Sequence, residues 1–295
     1  SGTRVYVNQG QAGEIWPVAT TLIPDWDPQR LSLHYIQTTY PSLSLGNAYE
    51  AIARTRMVKT ELEIATMRRS LAATMSSIRS AARQVRDQVT ERDLASTFEG
   101  ACKANGAQRI PFTIIKSGPN SLWPWRVLAS HYDRRNRSMA DGELVIFDVG
   151  CEVDYYVSDV GRTFPVSGRF SHEQRTVLEM EVAVSDAIIR EIRPGITLRQ
   201  LQTIGEDHIP EAHKEFMQAG LFFGHHIGLS ASEPELPDVP LQAGMIFTVE
   251  PWYYNHQSGI SVFTEDVVLV TKNGVEVLTS DLPRGTAELE RLVRP

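Results

Sequence analysis

Twice along the chain a pair of capped helical segments is followed by a block of strand text, and that repeated order narrows the fold more than any other feature. Thr60 with Glu63 forms a capping box, and Leu62, Ile64, Met67 and Leu71 carry helical spacing, which predicts a helix over about 60–88. Thr90 with Asp93 predicts a second helix, stopped at Asn105-Gly106. Strand text follows at 112–115, 144–149, 155–157 and 162–166. Ser171 with Gln174 opens a helix to about Ile192, closed by Pro194-Gly195. Thr197 with Gln200 opens the next, and a short helical stretch covers about 211–219. Strands return at 245–249, 252–254, 265–270 and, after the Asn273-Gly274 turn, 275–278. Strands gathered after helices in two matching blocks predict an α+β fold rather than a doubly wound α/β sheet. No G-x-G-x-x-G or phosphate-loop pattern is present.

Residues 1–50 differ from the rest. They hold Trp16, Pro17, Pro24, Trp26, Pro28 and Pro41 without a long helical period. They read as an irregular N-terminal segment, or the tail of a further domain, ahead of a main domain over 51–295. With 42% apolar residues in 295, the chain can bury a sizeable core, which excludes a disordered protein. No apolar run approaches the ~20 residues of a membrane span, and no secretory leader pattern is seen, so no membrane partner is expected. A net charge of −7 weighs against nucleic acid as a partner. Two cysteines do not make a disulfide framework, so both read as reduced thiols of a cytoplasmic protein, Cys102 in the core and Cys151 in a hairpin turn. The charged run Asp133–Arg137 reads as a solvated loop.

The acids are not spread evenly. Asp148 follows the apolar run Leu144–Phe147, and Asp159 lies 11 residues later. A hairpin turning between Val153 and Asp154 sets the two carboxylates directly opposite each other, roughly 5 Å apart at Cβ. Glu250 follows Ile246–Val249, and Glu265 opens the strand through Val268. A turn between Gln257 and Ser258 opposes that pair in the same way. Like charges facing each other beside apolar text are unfavourable unless they share protons or bind cations. Two divalent ions would balance four carboxylates. A nitrogen ligand is available in Phe222-Phe223-Gly224-His225-His226-Ile227-Gly228-Leu229, where only one of the two histidines can face the acids if the segment is extended.

These residues resemble the pita-bread metallopeptidases: methionine aminopeptidase, Xaa-Pro aminopeptidase and prolidase. The likeness runs from about Ala51 to Leu282. The family's five ligands match Asp148 in Ile146–Gly150, Asp159 in Ser158–Pro165, His225 in a G-H-x-I-G-L pattern, Glu250 in T-V-E-P, and Glu265 in E-D-V-V-L-V-T. The resemblance implies a pseudo-twofold pita-bread domain, with residues 1–50 a remnant of a creatinase-like N-terminal domain. It further implies two divalent ions, manganese first and cobalt, iron or zinc as alternatives, and a homodimer. It implies hydrolysis of an amide bond in a small peptide by a metal-bridged hydroxide, with Glu250 as proton shuttle and His131, 17 residues before Asp148, as proton donor or transition-state stabiliser. Three positions depart. Leu221 and Ser232 stand where the family keeps histidines, and Phe263 where the proline-specific branch commonly has arginine. With Trp252 they make the expected substrate pocket more apolar. The departures keep open a second chemistry, the same metal site acting on a small non-peptide metabolite, as in creatinase, ectoine hydrolase or a dimethylsulfoniopropionate lyase. A non-catalytic binding module is a third reading, against which the presence of all five ligands weighs.

Overall fold

The computed structural model describes residues 4–7, 28–122, 136–217 and 223–293. Among them the chain divides into two compact units, residues 1–57 with 234–236 and residues 58–233 with 237–295.

The smaller unit contains β1 (Arg4–Val7), α1 (Pro28–Thr39), β2 (Ser44–Asn47) and α2 (Tyr49–Met57), with β1 and β2 paired in parallel. The 12-residue α1 departs from the irregular segment expected there. It starts on Pro28, and proline at the first helical position begins a helix because its missing N–H is not needed there.

The larger unit opens with α3 (Glu61–Ala82) and α4 (Glu91–Ala104), both started by the expected capping boxes at Thr60 and Thr90. On α3 the side chains of Ile64, Met67, Leu71, Met75 and Ile78 recur every three or four residues, and all are buried. The helix packs against α4 and the sheet behind it. That sheet is β3 (Arg109–Ser117), β4 (Leu144–Val153), β5 (Tyr156–Val157) and β6 (Val160–Pro165), all antiparallel around β4. The second block repeats the plan. Helices α5 (His172–Glu191) and α6 (Leu198–His208) pack together, each capped as expected, and a short α7 (Lys214–Met217) follows. Then come β7 (Ile246–Val249), β8 (Trp252–Asn255), β9 (Ile260–Phe263), β10 (Asp266–Thr271) and β11 (Gly274–Val277), with α8 (Thr286–Val293) last. Strand β9 was not expected from the sequence. This is the α+β architecture, in two matching halves, that the element order predicts.

The two hairpins differ in how they meet expectation. In the second, Asp266 faces Val249, and Trp252 faces Phe263, the register that opposes Glu250 and Glu265. In the first, Asp148 faces Gly161 rather than Asp159. The chain reverses at Asp154 and Tyr155, whose φ values of 48° and 69° make a two-residue hairpin turn one position later than expected. The slip is two residues, so it keeps every side chain on its face. Asp159 becomes a diagonal neighbour of Asp148 on the same side of the sheet. At Gly150 a Cβ would overlap the Ser158 carbonyl oxygen, so the strands approach there only because glycine occupies it.

The cysteine reading is corrected here. Cys151 is not in a turn but inside β4, buried, and disulfide-bonded to Cys102 of α4 with Cα atoms 5.9 Å apart. The strand runs four residues past the predicted end at Val149, which carries Cys151 under the helix. The cytoplasmic expectation rested on two free thiols, and the bond removes that support. No helix of the described residues is long and apolar enough to cross a membrane. Closing a 49-residue separation limits the unfolded chain. Replacing both cysteines with alanine is therefore expected to lower the unfolding free energy by about 2–4 kcal/mol, read as a lower denaturant midpoint. An unchanged midpoint would show that the bond adds nothing.

Candidate metal centre

The two hairpins meet behind the acids, at Gly161 with Glu265 and at Thr163 with Phe263. Gly161 of β6 pairs with Asp148 on one side and bridges Glu265 on the other, through Glu265 N–H to Gly161 O (3.0 Å) and Gly161 N–H to Glu265 O (3.4 Å). Side chains opposite one another share a face, so Asp148 and Glu265 project on the same side of the sheet with no side chain between them. A Cβ on Gly161 would collide with the Phe263 ring and crowd Glu265 Cβ. Gly161→Ala is expected to cost about 1–3 kcal/mol, with Phe263→Ala in the same chain recovering part of it. Additive losses in thermal unfolding would show that the two sites do not meet.

The segment 223–227 lies along β7 and delivers the imidazole. Thr248 N–H donates to His225 O (2.9 Å), and Glu250 N–H to Phe223 O (3.1 Å). His225 Nδ1 donates to the His226 carbonyl (3.2 Å), which leaves Nε2 facing Glu250 Oε1 at 3.1 Å and Asp159 Oδ2 at 3.8 Å. Thr248 donates its hydroxyl to Glu250 Oε1 (2.8 Å) and fixes that carboxylate. His226 takes the other direction. It is buried on Phe247, with Nδ1 against the Ile246 carbonyl (3.3 Å), as expected when two adjacent histidines face opposite ways.

Ligand-type atoms of Asp159, His225 and Glu265 all lie within 4.8 Å of one another. Asp148 touches Asp159, which also touches Glu265. Carboxylate against carboxylate sets acceptor against acceptor, so Asp159 Oδ1 and both Glu265 oxygens are buried without a donor among the described residues. The protonation states follow. Burial, then the neighbouring charges of Asp159 and Glu250, push Asp148 well above the carboxylate range. Burial raises Asp159 to about 7, with His225 opposing and Glu250 adding to the shift. Burial and the other three acids raise Glu265 well above its ordinary value. Burial opposes the charge on His225, but Glu250 and Asp159 outweigh it and lift the imidazole to about 10. Burial and the Lys59 charge push His226 down to about 3, so it is neutral. Unsatisfied carboxylate oxygens and one oriented imidazole nitrogen form a donor set that fits divalent cations.

The remaining expected residues are placed unevenly. His131 and Leu221 lie outside the described residues. Phe263 and Trp252 share the face of the acids. Their rings stack at 4.0 Å and, with Ile146, form an apolar cluster in which they are 0% and 2% exposed. They wall the acids rather than line an open pocket. Ser232 is exposed, and its neighbour Glu233 turns inward instead, accepting from Leu229 N–H (2.6 Å) and Ser230 N–H (3.3 Å). Of the charged run, Asp133–Arg135 lie outside the described residues, Asn136 is exposed, and Arg137 is half-buried in a two-pronged pair with Glu143 (2.6 and 2.8 Å). Sequence reasoning passed over Thr248 and Gly161. Strand alternation was their signal, because each lies two residues from an acid on the same face.

Residues 65–272 match the model of metallopeptidase family M24. The chain belongs to that family. It is similar to Xaa-Pro aminopeptidase 3 of Mus musculus, at 30% identity over 91% of this chain and 59% of that protein. It is also similar to the Intermediate cleaving peptidase 55, mitochondrial, of Arabidopsis thaliana, at 29% identity over 85% of this chain and 55% of that one. Among solved structures, the Pseudomonas aeruginosa aminopeptidase PepP superposes with a TM-score of 0.78 at 27% identity, covering 98% of this chain and 70% of that chain. The chain thus spans under two thirds of these curated relatives' length. The M24 metallopeptidases are metal-dependent, and the two matching halves seen here are the pita-bread fold.

Proposed function

We propose that Asp148, Asp159, His225, Glu250 and Glu265 hold two divalent ions, manganese foremost, and that the chain hydrolyses Xaa-Pro peptides as a homodimer. The observation that carries this reading is the closed cluster itself, in which Asp159 Oδ1 and both Glu265 oxygens are buried beside His225 with no hydrogen-bond partner among the described residues. The relatives named for Xaa-Pro cleavage supply the substrate class. Bound there, the ions supply Lewis acidity toward a scissile carbonyl and a water-derived nucleophile at neutral pH. The chain's own residues orient and exclude. Thr248 and His225 both engage Glu250 Oε1, which leaves Oε2 to take the proton from the attacking water and return it to the leaving amine. His131 stands in this proposal as the donor to the developing charge, by resemblance. The stacked Trp252 and Phe263 close one side to water.

The test is turnover of Xaa-Pro peptides by the manganese-loaded protein, beside a library lacking proline and a set of small non-peptide amides and amidines. Cleavage confined to the Xaa-Pro set is expected. Cleavage of the small amides alone would favour the metabolite reading, which the closed Phe263 stack motivates, since that wall offers no cation to a peptide. Light scattering of the same sample reads the dimer.

A further inference from the structure

Arg162 follows Gly161 and faces the opposite side of the sheet from the carboxylates. It is wholly buried and spends all its donor positions on five contacts. Nη1 donates to the carbonyl oxygens of both Gly161 and Glu265, each at 2.6 Å. Nη2 donates to Asp266 Oδ1 (2.7 Å) and Leu282 O (3.0 Å), and Nε to Pro283 O (2.9 Å). Asp266 is held in turn by the Thr279 hydroxyl (2.6 Å) and by Arg284 Nε (3.3 Å).

The Nη1 contacts fall on the Gly161–Glu265 bridge, which joins the hairpins beside the Thr163–Phe263 hydrogen bonds (2.8 and 2.9 Å). Strand β9 ends at Phe263 and β10 starts at Asp266, so Thr264 and Glu265 sit in a break in the ladder. The Glu265 backbone pairs with Gly161 of the first hairpin through two reciprocal hydrogen bonds, one of which is long at 3.4 Å. Nη1 donates to both carbonyls of that pair, so one nitrogen ties together the two strands directly behind Asp148, Asp159 and Glu265. A guanidinium presents five donors in a rigid fork, which lysine cannot reproduce.

We infer that Arg162 is a positioning residue of the metal centre, setting from behind the sheet the distance between Glu265 and the aspartates of the first hairpin. This rests on the reading of those acids as metal ligands. It acts through backbone, and its positive charge lies on the opposite face from four buried carboxylates.

Two variants separate positioning from mere folding. Arg162→Lys keeps a buried cation beside Asp266 but cannot span both carbonyls. Arg162→Met with Asp266→Leu removes the buried pair together, which cores tolerate better than removing one partner. Cobalt(II) alone is titrated into the full chain, reading affinity by calorimetry and ligand geometry by the visible absorption bands, with circular dichroism reporting the fold. Wild type is expected to take two equivalents. Each folded variant is expected to lose at least tenfold in affinity for one or both, the scale of outer-shell effects on metal sites, with altered bands. A folded variant of either kind with wild-type affinity and bands would overturn the positioning role while leaving the metal reading intact. Absence of cobalt binding by wild type would overturn both.

Discussion

Glu250→Gln is expected to lower kcat/KM for an Xaa-Pro peptide by about a thousandfold or more, with the fold unchanged. Loss of a positioned proton carrier costs about 10²–10⁴ in rate, and the amide also removes a negative charge from the ligand set. The exchange is nearly isosteric at a residue 5% exposed, and the Thr248 hydroxyl can still donate to the amide oxygen. Steady-state kinetics with saturating manganese, beside circular dichroism, reads both parts. A variant within tenfold of wild type would remove Glu250 from the chemistry.

Stripping metal is expected to produce a chain whose stability falls as pH rises, and loading is expected to reverse the trend. Asp159 holds its proton up to about pH 7 in the fold, against an ordinary value of 3.8. Between about pH 4 and 7 the folded chain therefore binds a proton that the unfolded chain has shed, and stability declines with pH across that window. Asp148 and Glu265 shift in the same direction. His225 is raised from 6.5 to about 10, so its contribution is complete below about pH 6.5 and is lost as pH rises through 10. All four push one way. Cations bind the ionised acids and the neutral imidazole, so they compete with these protons and gain affinity as pH rises. At a thousandfold excess over Kd, binding adds about 4 kcal/mol, on the order of ten degrees in Tm for a unit of this size. Thermal melts of chelator-treated and manganese-loaded protein from pH 5 to 8 should diverge steadily. Parallel curves would contradict the buried acid cluster.

Much of this was legible in the sequence, for physical reasons that differ by element. The four capping boxes named their helices because each satisfies two orphan N–H groups locally, within three residues. The second hairpin was readable to the residue, since Asn255 and Gly259 mark its loop. The first slipped because Asp154 and Tyr155 both adopt positive φ, which nothing in a Tyr announces. Period-two alternation absorbed the error, so the acids still share a face. The Cys102–Cys151 bond was illegible because pairing depends on where β4 ends under α4, which spacing does not give. Arg162 carries no signal in the sequence beyond its place in the Ser158–Pro165 stretch. Its partners at Glu265, Leu282 and Pro283 lie more than a hundred residues away, and only the fold brings them within 3.0 Å.

The most direct measurement is the number of divalent ions retained per chain after manganese loading and gel filtration, by elemental analysis, in wild type and in a chain carrying Asp159→Asn with Glu265→Gln. Two ions per wild-type chain, falling below one in the variant, is the expected result. A wild-type chain that retains none, or a variant that retains the same two, would contradict the assignment of these five residues as the metal centre.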